Sequence, residues 1–180
     1  MRRVSQIPLL LVFSGLPGTG KTTLARRLSR KRGACYLRVD AVETALARLG
    51  ATVDARGYAV VHELAVSHLL LGHDVVVDAV NPVPDARAGW REAATRGGAS
   101  LVVFETVLRD PVEHQRRVEH READIPGHVP PSWQEVQDAV WVPWQEERDG
   151  KRLVVDTTDS EAAWDRLLEA LDPPAQPSPS

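Results

Sequence analysis

The chain has 180 residues, 43% of them hydrophobic, and a formal net charge of -3; this suits one domain with a proper core and excludes the global basic excess that draws proteins to nucleic acid. No apolar run approaches the ~20 residues that a membrane span needs. Cys35 is the only cysteine, which excludes an internal disulfide and a cysteine-based zinc site, fits a reducing cytoplasm, and leaves Cys35 to be read as a buried, inert strand residue.

In chain order, MRRVSQIPLLLVFSG imitates a secretory signal, with a positive start, an apolar middle and small residues after it. In place of a cleavage site comes Gly15-Leu16-Pro17-Gly18-Thr19-Gly20-Lys21-Thr22, flanked by a strand over Leu9 to Phe13 and a helix over Thr22 to Arg32 with Leu24, Ala25 and Leu28 on one face. A second strand, Cys35 to Val39, runs into Asp40. Tyr58, Val61, Ala65 and Leu69 form a stripe at helical spacing before Gly72. A strand over Asp74 to Val80 precedes a helix over Asp85 to Arg96, which stops at Gly97-Gly98, and a fourth strand spans Ser100 to Leu108. The segment from Arg109 to Asp149 is rich in charge and punctuated by Pro126, Pro130, Pro131 and Pro143, and it reads as a lid. Within it Ser132 and Glu135 make a capping box, and Trp133, Val136, Val140 and Trp144 share a helical face that anchors the segment to the core. Trp141, off that face, is the better placed for a ligand. A fifth strand, Arg152 to Asp156, and a helix over Glu161 to Leu171 precede Pro173-Pro174, and residues 173–180 are expected to be disordered. This alternation predicts an α/β fold, a mostly parallel five-stranded sheet in one domain over residues 1–172, with residues 109–149 as its lid.

The stretch from Gly15 to Thr22 fits GxxxxGK[ST], the phosphate-binding P-loop, with strand and helix on the sides the motif requires. Backbone N–H groups of Gly15, Gly18, Thr19 and Gly20, and of Thr22 and Thr23 at the helix start, converge on a polyphosphate at the positive end of the helix. Lys21 reaches the β- and γ-phosphates and the Thr22 hydroxyl is a ligand for Mg²⁺. The chain uses arginine for nearly every positive charge and has only Lys21, Lys31 and Lys151, so lysine at this position is not background. Asp78 ends a hydrophobic strand, HDVVVDAVN, in the pattern of an acid that holds Mg²⁺ through water; a strand-terminal turn residue is the alternative. Asp40, at the carboxyl end of a strand, stands where ligands bind in open α/β sheets, and it also fits an N-cap with Glu43 at N3. Both readings of Asp40 stay open on the residues alone. His62 and His68 are six apart, not the four that HExxH zinc geometry needs, and read as helix residues. No NKxD-like stretch supports guanine and no second glycine signature supports a transporter ATPase, so ATP is the nucleotide expected. Arg26, Arg27, Arg30, Lys31 and Arg32 read as a solvated face at a helix C-terminus.

Together GLPGTGKTT, VD after the second strand, VVVDAV, VEHQRRVEHR and VDTT resemble the small P-loop kinases grouped with chloramphenicol phosphotransferases, zeta-toxin kinases and polynucleotide kinases, and in particular the predicted-kinase ATP-binding proteins of that branch. The resemblance covers residue 10 to about residue 165 and implies a P-loop NTPase fold of nucleoside-monophosphate-kinase type with a helical lid. It implies that Asp40 faces the acceptor hydroxyl, that Asp78 serves Mg²⁺, and that Arg117 and Arg121, four apart on one helical face, close over the nucleotide, Arg117 at the adenine. It further implies that Asp156, Thr157 and Thr158 border the base and that Asn81, Arg87 and Arg91 are candidates for substrate contact. The activity so implied is transfer of the γ-phosphate of ATP to a hydroxyl of a small molecule, antibiotic-like or a sugar or nucleoside. The rivals are phosphorylation of a nucleotide or a polynucleotide 5′-hydroxyl, and an ATP-dependent switch acting on a protein partner. The sequence sets no oligomeric state.

Overall fold

The structure, a computed structural model, describes residues 7–171. The expected disorder of residues 173–180 and the signal-like start over residues 1–6 lie outside the described residues. Five strands, β1 (Leu9–Ser14), β2 (Cys35–Arg38), β3 (Val75–Asp78), β4 (Ser100–Val107) and β5 (Leu153–Asp156), form one sheet in the order β2-β3-β1-β4-β5. Every pairing is parallel, from Leu10 opposite Val75 to Phe104 opposite Leu153. Parallel neighbours need crossovers, and helices supply them: α1 (Lys21–Arg32), α2 (Val39–Arg48), α3 (Arg56–Leu70), α4 (Pro84–Gly97), α5 (Pro111–Glu119), the short α6 (Trp133–Asp138) and α7 (Glu146–Asp149), and α8 (Ser160–Leu171).

The unbroken apolar run in β1 follows from burial on both faces. Leu10 and Val12 point into a layer with Val61, Ala65 and Leu69 of α3 and Trp90 of α4, while Leu11 and Phe13 point into a layer with Leu24 and Leu28 of α1 and Trp164 and Leu167 of α8. β1 is therefore the fixed centre of the sheet, and the loop that leaves its carboxyl end inherits that rigidity. β3 and β4 flank β1, so the chain's path diverges there, the place where open α/β sheets bind ligands. No helix among the described residues is long and apolar enough to cross a membrane.

The predicted strands and long helices agree with these elements within a few residues, and the Ser132–Glu135 capping box is present. Three local expectations are corrected. α6 stops at Asp138, so Val140 and Trp144 do not share its face with Trp133 and Val136. From Ala139 the chain is extended, because Val142 donates its N–H to the Pro82 carbonyl and Pro143 disfavours a helical residue before it. α5 ends at Glu119 with His120 as its C-cap, so Arg121 lies beyond the helix and shares no helical face with Arg117. α2 begins two residues earlier than a cap at Asp40 requires: Arg38 is the N-cap, with no side-chain cap bond, and Asp40 sits inside the first turn.

Candidate active site

Gly15 to Gly20 wrap around the carboxyl end of β1, and the turn demands glycine. At Gly15, φ is +137° and a side chain would meet the Thr106 carbonyl; at Gly18, φ is +82° and a Cβ would run into Val118 of α5. The loop is pinned by hydroxyls. The Thr19 hydroxyl donates to the Leu16 carbonyl at 2.7 Å and so accepts from Thr106 at 2.8 Å, the Ser14 carbonyl lying 3.1 Å from the same Thr106 hydroxyl; Thr157, after β5, donates to the Thr19 carbonyl at 2.8 Å. Two loop amides are already engaged, Gly15 donating its N–H to the Val80 carbonyl at 3.2 Å and Thr19 to the Leu16 carbonyl at 3.4 Å, which corrects their expected part in holding an anion; the N–H groups of Gly18, Gly20, Lys21, Thr22 and Thr23 have no acceptor among the described residues.

Lys21 opens α1 with only 5% of its surface exposed, and its ammonium reaches the Leu16 carbonyl at 3.4 Å. Burial pulls the lysine below its ordinary range, while Asp78 and then Asp40 push it back up. Among the described residues this long contact to a neutral oxygen is the ammonium's one hydrogen bond.

Behind Lys21 lies a cluster organised by Arg38, itself buried. Its guanidinium lies 3.6 Å from Asp78, donates to Asp40 at 3.1 Å, and forks onto Asp124 at 3.0 and 2.8 Å. Arg26 pairs with Asp124 at 2.6 Å, and Tyr36 donates to Asp78 at 2.8 Å, a bond that accompanies a tyrosine pushed up by burial and by that carboxylate. The basic run of α1 is therefore only partly a solvated face: Arg26 belongs to this cluster, Arg27 pairs with Glu161, and Arg32 pairs with Asp74. Both contacts of Asp78 fall on Oδ2, so Oδ1 has no protein donor among the described residues. The Thr22 hydroxyl lines the cleft beside Lys21, whereas Asp78, 2% exposed, is not among the residues that line it; each offers oxygen, the ligand type that Mg²⁺ takes.

Gly18, Gly20, Lys21, Thr22 and Thr23 line a cleft of about 430 Å³ together with Arg117 and Arg121, so the two arginines meet the same space from a helix and from the loop after it. Arg117 is tied to Glu113 at 2.7 Å and donates to the Thr157 carbonyl at 3.1 Å; the fork of Arg116 and Arg117 holds Glu113 down at about 2. His114 of α5 bonds the Pro17 carbonyl at 2.7 Å, which seats that helix directly on the phosphate loop. Thr157 is buried as a support of that loop, and Thr158 donates to Asp156 at 2.7 Å at its rim.

Asn81, Arg87 and Arg91 are placed otherwise. Asn81, at φ +56°, accepts from the Trp90 indole at 2.6 Å and donates to the Phe13 carbonyl at 3.3 Å. Arg87 is buried against Asp149 at 3.0 Å and donates to the carbonyls of Asn81, Pro82 and Val142; Arg91 donates to the Asp149 carbonyl at 2.8 Å. The first two side chains are consumed by scaffold and the third is turned to it, which corrects their expected role at a substrate.

The sequence pattern of a family described as an AAA domain matches residues 10–174. This chain belongs to that AAA domain family. No curated protein matches this AAA domain in sequence. Among solved structures it is similar to a candidate kinase of Chloroflexus aurantiacus, at 22% identity and TM-score 0.74 over 95% of this chain and 100% of that one. It is also similar to an unliganded sugar kinase of Janibacter, at 19% identity and TM-score 0.65 over 93% and 95% of the two chains. A third likeness is to Chaetomium thermophilum Kti12, solved with ADP-AlF3, at 19% identity and TM-score 0.66 over 91% and 97%. The AAA domain thus has a P-loop kinase-like fold, with the five-stranded sheet expected and every pairing in it parallel.

Sequence reading missed Arg38, Tyr36, Asp124 and Glu43 in the site of this AAA domain. A signal existed for the first two: in YLRVD, Tyr36 and Arg38 stand two apart on one face of a strand that ends at the site. Asp124 carries none, since its partners Arg26 and Arg38 are about a hundred residues away in sequence.

Proposed function

We propose that this AAA domain is an ATP-dependent phosphotransferase that moves the γ-phosphate of ATP onto a hydroxyl of a small molecule. One observation carries the reading. Besides a smaller pocket of about 200 Å³ at Trp141, the phosphate loop walls two larger cavities: Gly18 and Gly20 line the cleft at Lys21, and Leu16 and Pro17 line an apolar cavity of about 390 Å³ that also holds Asp40. A nucleotide switch needs only the first; a two-substrate transfer needs both, meeting at one loop.

In this reading the loop amides and Lys21 hold the β- and γ-phosphates, and Asp156 to Thr158 border the base. Arg117 and Arg121 neutralise the phosphoryl group in flight. Thr22 and Asp78 would hold Mg²⁺, which supplies further charge neutralisation at the phosphates. Asp40 orients the acceptor and takes its proton as the oxygen bonds to the γ-phosphorus, the bond from that phosphorus to the bridging oxygen breaks, and ADP leaves; the proton then passes to water. Residues 120–140, between α5 and the pinned stretch at Val142, close over the bound pair and exclude water.

The test is transfer of label from γ-labelled ATP to a panel of hydroxyl compounds. Labelled product with the wild-type protein and a loss of at least ~10²-fold in Lys21→Ala are expected. Hydrolysis of ATP stimulated only by a protein, with no labelled small molecule, overturns the reading.

A further inference from the structure

The acceptor-side cavity has a chemical character of its own. Its walls are mostly apolar, from Val39, Val80 and Pro82 on the sheet side to Val136 and Val140 on the lid side. The only charged side chains among its lining are the carboxylates Asp40, Glu43 and Glu135. No lysine, arginine or histidine lines it; Arg48 and His128 belong to a second, open cleft on the other side of Asp40 and Glu43. The three carboxylates are not equivalent. Asp40 is paired with Arg38, and Glu135 is spent in its capping box, accepting from the N–H and hydroxyl of Ser132 at 2.8 Å each. Glu43 has no hydrogen-bond or ion-pair partner among the described residues, although it is half-buried with its Cγ packed where a side chain on Gly57 would sit. Burial, and then the nearby Asp40, push its carboxyl up to about 7, the behaviour of a carboxylate that lacks a cation.

We propose that the acceptor is a hydroxyl compound with an apolar body and a protonated amine, the amine pairing with Glu43 while the hydroxyl meets Asp40. This rests on the phosphotransferase reading and names its substrate class. An anionic acceptor would enter a cavity of like charge with no counter-ion, a repulsive element against the wrong substrate. A cation finds Glu43, the one of the three carboxylates with neither a hydrogen bond nor an ion pair among the described residues, and the apolar walls lower the dielectric around that pair. Asp40 and Glu43 are three apart on α2 and so neighbours on one face, their Cβ atoms roughly 5 to 6 Å apart, so one small molecule can meet both carboxylates. The bond changes are those of the transfer above; the amine keeps its proton throughout.

Three matched probes test it: a phenyl carbinol bearing an aminopropyl chain, its N-acetyl derivative, and the carbinol with a carboxyethyl chain of the same length. Each is offered with labelled ATP to wild type and to Glu43→Gln, beside a panel of sugars and nucleosides. Wild type is expected to phosphorylate the amine with kcat/KM about tenfold above the other two probes. In Glu43→Gln the KM for the amine rises about tenfold while that for the N-acetyl compound is unchanged, so the preference disappears. Equal use of the acid or the N-acetyl probe, or transfer to sugars or nucleosides but not to the amine, overturns the inference and leaves the phosphotransferase standing. Absence of transfer to every compound while ATP binds overturns both.

Discussion

At Asp40, 3.1 Å from the Arg38 guanidinium and inside the first turn of α2, a change to Asn alters charge and leaves the helix start untouched, because Arg38 holds the N-cap position. If Asp40 is the base, Asp40→Asn is expected to keep its ATP affinity while transfer falls by ~10² to 10⁴. Initial rates and nucleotide titrations check this, and near-normal transfer moves the search for a base to Asp78. Glu43, one turn on, gives a different readout. Its carboxyl rises from the usual 4.5 to about 7 in the folded chain, so between those values the folded state holds a proton that the unfolded state has released. Stability from this group is present below the unfolded value and is lost as pH rises through the folded one. Glu43→Gln has no such proton, so its melting temperature is expected to gain on wild type between about pH 5 and pH 8. Asp40 and Tyr58 face the same carboxyl and are common to both proteins. A difference that stays constant across that range shows that burial leaves Glu43 unperturbed.

Among the elements, those with one strong period were readable and those set by distant partners were not. β1 and α1 follow from an apolar run, a glycine loop and a stripe at Leu24, Ala25 and Leu28, signals that tertiary contacts only reinforce. The tryptophan stripe from Trp133 to Trp144 has equally good spacing, yet the chain leaves the helix at Ala139 because the Pro82 carbonyl, some sixty residues earlier, captures the Val142 N–H. The consequence is a division within the lid. Trp144 packs beside the α3 and α4 core and donates to the Gly150 carbonyl at 2.7 Å, while Trp133 lies edge-on to His114 with ring centroids 5.1 Å apart and Trp141 is half-buried beside the phosphate loop. Closure of residues 120–140 over Mg·ATP and acceptor is therefore expected to change the fluorescence of Trp133 and Trp141 and leave Trp144 silent. The change should persist in Trp144→Phe, vanish in a double Trp133→Phe, Trp141→Phe variant, and be accompanied by protection from proteolysis in residues 120–140. A signal carried by Trp144 alone, or no change in either measurement, means that the segment is a fixed part of the core.

For the whole molecule, the P-loop announced the fold because GxxxxGK[ST] between a strand and a helix is specific to P-loop proteins, whereas the residues that hold the lid's far end to the sheet were hidden in ordinary-looking charges. Arg87 and Asp149 show why: a buried ion pair 62 positions apart has no local signature, and Arg87 reads from sequence as a candidate for substrate contact. In the fold, their side chains are 1% and 0% exposed, and Arg87 also donates to carbonyls of the loop after β3 and of the stretch entering α7. Asp149 further accepts from Arg148 and from the Gln145 N–H, and these donors, Arg148 foremost, hold its carboxyl well below the usual range. Removing the carboxylate strands a guanidinium away from water, so Asp149→Ala is expected to cost ~3 to 5 kcal/mol in denaturant unfolding, far more than an exposed pair would. Because the depressed carboxyl stabilises the fold above its unfolded value and ceases to do so as pH falls, the variant should also lose part of the wild type's acid sensitivity. A double change, Arg87→Met with Asp149→Leu, removes both charges together and is expected to recover much of the loss, since neither partner is then left unpaired. The unfolding free energies of wild type and the two variants decide it: a single variant within about 1 kcal/mol of wild type would place the pair among those that contribute little, and the lid's attachment would then rest on the packing of Trp144 instead.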